Sequence, residues 1–278
     1  MKRILTALAL ALPAGALTAF PVGPAVHLAT INAPAAWPVS TGKGVRVAVI
    51  DTGVKGAAEE EVFTGEDEPF PGDHGTAVGE IAKGVAPGAT IVSVKVGIDA
   101  GVRTLMRPHW VRDGIKWAGE NADVVNLSFA RSLTDQDVVD SIRASTVRGT
   151  IFVVAAGNEG PAEETTQFPA RFPELIAVAG LNQDSTVAVF SSRGATVFVS
   201  APGVGVYASG HDNTGTSFAA PMVSGVAALW VAANPDVKRA DRPAKFRAKL
   251  AATCKDLGKP GRDVDTGHGL VDAGKVVR

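Results

Sequence analysis

Four polar residues of the chain carry the functional groups of nucleophilic hydrolysis. Asp51, His74 and Ser217 offer a carboxylate, an imidazole and a hydroxyl, and Asn158 offers an amide donor. A serine hydroxyl becomes a nucleophile when a base removes its proton, and a carboxylate that orients the base assists that transfer. Structural alternatives remain open, because a Ser ahead of an apolar helix is an ordinary N-cap and Gly-Asn-Glu-Gly is ordinary turn chemistry.

The hydrophobic pattern predicts the elements that position these side chains. Short β-rich runs, apolar on both faces, lie at residues 45–50, 90–96, 124–129, 150–155, 175–179 and 196–200. Helical stretches lie between them at 74–83, 108–119, 135–148 and 217–233. This alternation predicts a three-layer α/β/α fold with a mostly parallel central sheet. In such sheets, active-site residues usually lie where strands end and helices begin. Asp51, His74, Asn158 and Ser217 all fall at such positions.

One of the five histidines is the best candidate for the base. The other four are His27, His109, His211 and His268. His74 leads a helix with a predicted buried face, which would fix its ring. Asp51 ends an apolar strand and is the better candidate for the orienting carboxylate. The neighbouring Asp73 is expected to cap the helix.

Composition excludes several classes of function. The chain has 278 residues, of which 46% are hydrophobic, and this suits one substantial α/β domain. A net charge of −1 with dispersed basic residues argues against a nucleic-acid partner. Cys254 is the only cysteine, which excludes an internal disulfide and a cysteine metal cluster.

The first residues predict a signal peptide. Residues 1–19 have a basic start, an apolar run and small residues that suit cleavage after Ala16 or Ala19. An uncleaved membrane anchor is the alternative, but prolines between residues 13 and 24 argue against a continuous spanning helix. We therefore expect a secreted protein, periplasmic or extracellular, with no stable membrane anchor and one domain over residues 20–278.

Three segments together resemble a known family. Residues 49–54, 74–79 and 215–221 resemble the three catalytic blocks of subtilisin-like serine proteases (subtilases, peptidase S8 family), in that family's order of Asp, His and Ser. Ala156-Gly157-Asn158 stands between the second and third blocks. The resemblance extends from residue 31 to residue 273 and implies the subtilisin-like fold.

The resemblance implies a secreted serine endopeptidase that works through an acyl-enzyme. Ser217 would be the nucleophile, His74 the general base and then acid, and Asp51 the carboxylate that holds the ring. Asn158 would be the side-chain donor of the oxyanion hole, with the backbone N–H of Ser217 as the second donor. No cofactor and no metal are required for this chemistry, and a monomer is expected.

The resemblance also implies where a protein or peptide substrate would bind. The implied substrate-binding residues are Ser128, Phe129 and Ala130 along one edge, and Ala155, Ala156 and Gly157 at a wall of the main side-chain pocket. A second edge is expected near residues 101–103. Extended substrate would pair with these edges through its backbone.

The chain departs from the family pattern at several points. Ala130 stands where many relatives have Gly, and Met222 stands where many have His. The long calcium-binding loop of some members has no equivalent, so structural calcium is possible but unsupported. The acidic clusters at 59–61 and 66–68 are expected to be solvated loop. About 25 residues separate the cleavage site from the first strand, too few for an inhibitory prodomain, and unaided folding is expected.

Other functions remain as alternatives. A catalytically silent subtilase-fold binding or scaffold protein is one of them. An α/β-hydrolase is disfavoured because Ala219 stands two residues after Ser217, where that elbow has Gly. A dinucleotide site at Gly42-Lys43-Gly44 is disfavoured because these glycines precede a strand.

Overall fold

Seven parallel strands form the central sheet of the computed structural model, which describes residues 24–65, 72–100, 103–130 and 134–278. The strands are β1 (Arg46–Asp51), β2 (Glu59–Val62), β3 (Thr90–Lys95), β6 (Val124–Leu127), β7 (Ile151–Ala155), β8 (Ile176–Leu181) and β9 (Val197–Pro202). Their order is β2-β3-β1-β6-β7-β8-β9, and every neighbouring pair is parallel. Two hairpins stand apart, β4 (Gly97–Ala100) with β5 (Arg103–Met106), and β10 (Val206–Ala208) with β11 (His211–Asn213).

Helices cover both faces of this sheet. They are α1 (Pro24–Thr30), α2 (Asp73–Val85), α3 (Pro108–Asn121), α4 (Gln136–Val147), α5 (Thr216–Ala233), α6 (Arg242–Thr253) and α7 (Ala273–Val276). Alternate residues of β1 enter different cores: Val47 and Val49 pack with α2 and α5, while Ala48 and Ile50 pack with α3 and α4. The predicted three-layer α/β/α fold with a parallel sheet is confirmed.

Helix α5 runs through the larger core. Among the described helices, it alone is long and apolar enough to cross a membrane, but 83% of it is buried inside the fold. A helix that is apolar on all sides and surrounded by protein is a core helix. Its first turn emerges beside the ends of β6 and β7, which makes α5 the element that carries Ser217.

Several local predictions differ from the structure. Gly72 occupies the N-cap position of α2 and Asp73 is already helical, so the predicted capping role of Asp73 is wrong. Helix α5 begins at Thr216, one residue before Ser217. The acidic run 59–61 was predicted as loop and instead forms most of the edge strand β2.

Three predictions concern residues outside the described ranges. The signal peptide at residues 1–19, the acidic cluster 66–68, and Gly101 with Val102 in the expected second substrate edge all lie there.

Candidate active site

Asp51 and His74 form a contact pair at the carboxyl end of β1. Asp51 is fully buried, and its Oδ1 lies 2.8 Å from Nδ1 of His74. The backbone N–H of Thr52 donates to the same oxygen at 2.8 Å. Gly75 allows α2 to begin this close to the strand, because a Cβ there would overlap the carbonyl oxygen of Gly53 and approach Asp51. The close approach of α2 to the end of β1 therefore brings His74 into contact with Asp51.

The charge of Asp51 controls the protonation of His74. Its Coulombic attraction raises the pKa of His74 above the ordinary value, helped by their hydrogen bond and by the Asp99 carboxylate, against the opposing effect of burial. A carboxylate at Nδ1 favours the tautomer with its proton on that nitrogen. Nε2 then remains as the basic nitrogen. The His74 side chain is 33% exposed, so part of the ring is accessible from outside the protein.

Ser217 lies beside this pair in the first turn of α5. The ring of the next residue, Phe218, lies with its centroid 5.4 Å from that of His74. The Ser217 hydroxyl donates to the carbonyl oxygen of Ser128 at 2.9 Å. Within the part of the chain that the structure describes, no hydrogen bond joins Ser217 Oγ to His74. A rotation about χ1 redirects such a hydroxyl, and catalytic hydrogen bonds often tighten only when substrate binds.

Asn158 is held by the helix that carries Ser217. Its Oδ1 accepts hydrogen bonds from the backbone N–H and the hydroxyl of Thr216, both at 3.0 Å. The hydroxyl of Thr216 also accepts from the N–H of Gly157 at 3.2 Å. Because Thr216 holds the amide oxygen of Asn158, the Nδ2 group is the part of the amide that can donate to another acceptor. Thr216 was not predicted as a site residue, although its position between Gly215 and Ser217 was a usable signal.

A cavity of about 360 Å³ opens next to the Asp51–His74 pair. It is lined by Asp51, His74, Thr104, Leu105, Met106, Ser128, Phe129 and Ala130. The segment Ser128–Ala130 therefore borders a cavity that it shares with His74. The opposite wall comes from β5 at residues 104–106, directly after the expected second edge at 101–103.

The other predicted wall residues lie elsewhere. Ala155 ends β7, and Ala156 and Gly157 lead from it to Asn158, so this segment adjoins α5 and does not line the 360 Å³ cavity. Over the described ranges, no group of three or more His, Cys, Asp or Glu residues is arranged to hold a metal ion.

Comparisons with known proteins point to a single family. Residues 42–269 match the model of the subtilase family. The chain is 33% identical to Subtilisin Savinase of Lederbergia lenta over 274 residues, which is 90% of this chain and 97% of that protein. It is 34% identical to alkaline elastase YaB of Bacillus sp. over 260 residues, covering 86% of this chain and 66% of that protein's length. A solved protease structure from Pseudoalteromonas arctica matches with a TM-score of 0.75 and 28% identity, over 89% of this chain and 93% of that one.

Proposed function

Because the chain belongs to the subtilase family of serine endopeptidases, we propose that Ser217, His74 and Asp51 form its catalytic triad. The observation that carries the proposal is the 2.8 Å contact between His74 Nδ1 and the buried carboxylate of Asp51, beside the helix turn that holds Ser217. Protein or peptide substrates follow from the family.

The first half of the proposed reaction forms an acyl-enzyme. Neutral His74 removes the proton of Ser217 through Nε2 as Oγ attacks the carbonyl carbon of the scissile bond. The negative oxygen that develops accepts from Asn158 Nδ2 and from the backbone N–H of Ser217. These donors act at the N-terminus of α5, where the helix dipole also favours negative charge. The His74 cation, stabilised by Asp51, then protonates the leaving amine.

The second half releases the acyl group. His74 is neutral again and activates a water molecule, which attacks the ester carbon of acylated Ser217. Collapse of the second tetrahedral intermediate breaks the bond to Oγ, and His74 returns the proton to Ser217. The enzyme thereby regains its starting state with one peptide bond hydrolysed.

Substrate binding would release the Ser217 hydroxyl from its hydrogen bond to the Ser128 carbonyl. An extended substrate between Ser128–Ala130 and residues 104–106 would pair with both segments through backbone hydrogen bonds. A substrate N–H that donates to the Ser128 carbonyl would take the acceptor now used by Ser217 at 2.9 Å. The hydroxyl would then turn to His74 Nε2. Ala155, Ala156 and Gly157 would line the pocket for the side chain at the scissile bond.

Export is part of the proposal. The basic start and apolar run of residues 1–19 support a signal peptide. A protease of this type would act on proteins or peptides in the periplasm or the medium, as a monomer without a stable membrane anchor.

Covalent labelling tests the function directly. A fluorophosphonate probe phosphonylates a serine only when a base activates it, so the native protein should be labelled and the heat-denatured protein should not. Digestion and mass spectrometry should map the label to Ser217. A native, folded protein that takes no label would support the alternative of a silent subtilase-fold scaffold.

The pKa of His74 predicts the pH dependence of hydrolysis. The base must be neutral, so kcat/KM should rise with pH, with its midpoint above the ordinary value of about 6.5 because Asp51 raises the pKa. Stability should change in the opposite direction. The contribution of protonated His74 is fully present below about 6.5 and is lost as pH rises through its raised folded-state pKa. Profiles of kcat/KM and Tm between pH 5 and 9 measure both, and an acid midpoint below about 6.5 would contradict this assignment.

Asn158 should contribute through its amide donor. Asn158→Asp keeps an acceptor for Thr216 but puts a carboxylate oxygen where Nδ2 faces the developing oxyanion. We expect kcat to fall on the order of 10²–10³-fold, the size known for this donor in subtilisin, with KM little changed. Asn182→Ala, at a half-buried turn asparagine that bonds Thr186, is the control. A kcat within threefold of wild type would remove Asn158 from the oxyanion hole.

A further inference from the structure

The carbonyl group of Ser217 lacks its normal helical partner. In an α-helix, the C=O of one residue accepts from the N–H four residues later. For Ser217 that residue is Pro221, which has no N–H and whose ring crowds the carbonyl four residues before it. The residue proposed as nucleophile therefore carries a backbone acceptor that its own helix cannot satisfy in the usual way.

Ser128, the residue directly after β6, supplies the missing donor. Its hydroxyl donates to the Ser217 carbonyl oxygen at 2.7 Å, although the two residues are 89 positions apart in sequence. Ser128 is only 2% exposed, so water has little access to its hydroxyl. This hydrogen bond is partly buried, and an acceptor shielded from water and left without a partner carries a free-energy penalty, so the contact constrains the turn.

The Ser128 hydroxyl is itself held in one direction. Asn126 Nδ2 donates to Ser128 Oγ at 2.8 Å, and Ser224 Oγ donates to Asn126 Oδ1 at 2.9 Å. Asn126 and Ser224 are fully buried. Because Ser128 Oγ accepts from Asn126, its own proton is directed at Ser217. The chain of bonds thus begins on α5 at Ser224, crosses β6 and returns to the first turn of α5.

We propose that Ser128 is a positioning residue for the Ser217 nucleophile, its hydroxyl replacing the helical donor that Pro221 removes. This inference rests on the proposed function, in which Ser217 attacks the substrate. Ser128 acts through the backbone of Ser217 and fixes the turn that carries the attacking oxygen and the oxyanion-binding N–H. The role belongs to the Ser128 side chain and is separate from that of its carbonyl, which faces the Ser217 hydroxyl.

The rate of fluorophosphonate labelling measures this positioning. Ser128→Ala should slow labelling on the order of 10- to 100-fold, because small misplacement of a reacting group has effects of that size. Peptide hydrolysis should lose kcat by a similar factor with KM nearly unchanged. Ser145→Ala is the matched control: Ser145 is also fully buried and donates to a helix carbonyl, that of Ser141, at 2.8 Å in α4. The control should label at the wild-type rate.

Restoring the helical donor provides a rescue that a general packing defect would not show. Pro221→Ala introduces an N–H four residues after Ser217. In the double variant Ser128→Ala/Pro221→Ala, this N–H can donate to the orphaned carbonyl, and labelling should recover most of the lost rate. Wild-type labelling by Ser128→Ala would overturn the proposal. A slowed Ser128→Ala that Pro221→Ala does not improve would overturn it as well.

A second pair of variants tests the proposal if Ser128→Ala does not fold. Ser128→Cys keeps one heavy atom beyond Cβ, somewhat larger than the hydroxyl oxygen, and offers only a weak S–H donor. It should label more slowly than wild type, and Ser128→Cys/Pro221→Ala should recover the rate. A wild-type protein that takes no label contradicts the proposed function itself. Equal labelling of wild type and the Ser128 variants contradicts only the positioning role.

Discussion

Replacing Ser217 with alanine is expected to lower kcat for peptide hydrolysis on the order of 10⁶-fold, the loss known for the nucleophile of subtilisin. No acyl-enzyme can form without Oγ, and only the remaining binding interactions stabilise the transition state. The fold should persist, because the removed hydroxyl makes one hydrogen bond, to the Ser128 carbonyl. Steady-state hydrolysis of a peptide substrate measures kcat, and thermal unfolding measures the fold.

Two checks make this result interpretable. Ser145→Ala removes a hydroxyl at a buried site in α4 and should retain wild-type kcat. Titration with the fluorophosphonate probe shows whether residual activity comes from contaminating active protein. Activity of Ser217→Ala above about 1% of wild type, with no probe-reactive contaminant, would mean that another group attacks the substrate.

Replacing Asp51 with asparagine is expected to lower kcat on the order of 10⁴-fold, as the same exchange does in chymotrypsin-like proteases. The amide of asparagine can donate to His74 Nδ1, 2.8 Å from the present carboxylate oxygen, which favours the tautomer with a proton on Nε2. That tautomer cannot accept the proton of Ser217. Loss of the buried charge should also lower the pKa of His74 and shift the acid limb of the pH profile downward.

The variant Asp99→Asn removes a negative charge near His74 and leaves the hydrogen bond between Asp51 and the ring in place. It therefore separates the effect of charge on His74 from the effect of ring orientation. The Asp99 carboxylate also raises the pKa of His74, but it is exposed and forms no hydrogen bond with the ring among the described contacts. We expect it to move the pH midpoint slightly and to change kcat by a few-fold at most. A loss of less than tenfold for Asp51→Asn would show that Asp51 does not set the tautomer.

The fold could be predicted wherever burial leaves a clear pattern. The strands of the sheet interior are apolar on both faces and were predicted within a few residues. Strand β2 was missed because an exposed edge strand needs no apolar residues, and three of its four are glutamates. Helix α6 was missed because only Phe246 and Leu250 are buried among many charged residues, which leaves a weak helical pattern.

The sequence by itself determined the family and nominated Asp51, His74, Asn158 and Ser217, because their chemistry resides in residue type and in short motifs whose order is readable. Only the tertiary structure decided how these side chains are held. Sequence analysis favoured Asp51 over Asp73 as the partner of His74, and the 2.8 Å distance between them arises because α2 begins against the end of β1.

The contacts of Asn158 and Ser217 with their partners could not be read from the sequence, although the position of Thr216 beside Ser217 was a usable signal. Thr216 anchors Asn158 across 58 positions, and the two serines at 128 and 217 exchange hydrogen bonds across 89. Local sequence encodes periodicity and turn chemistry. The direction of a buried polar side chain depends on which distant group satisfies it, and packing alone brings that group into place.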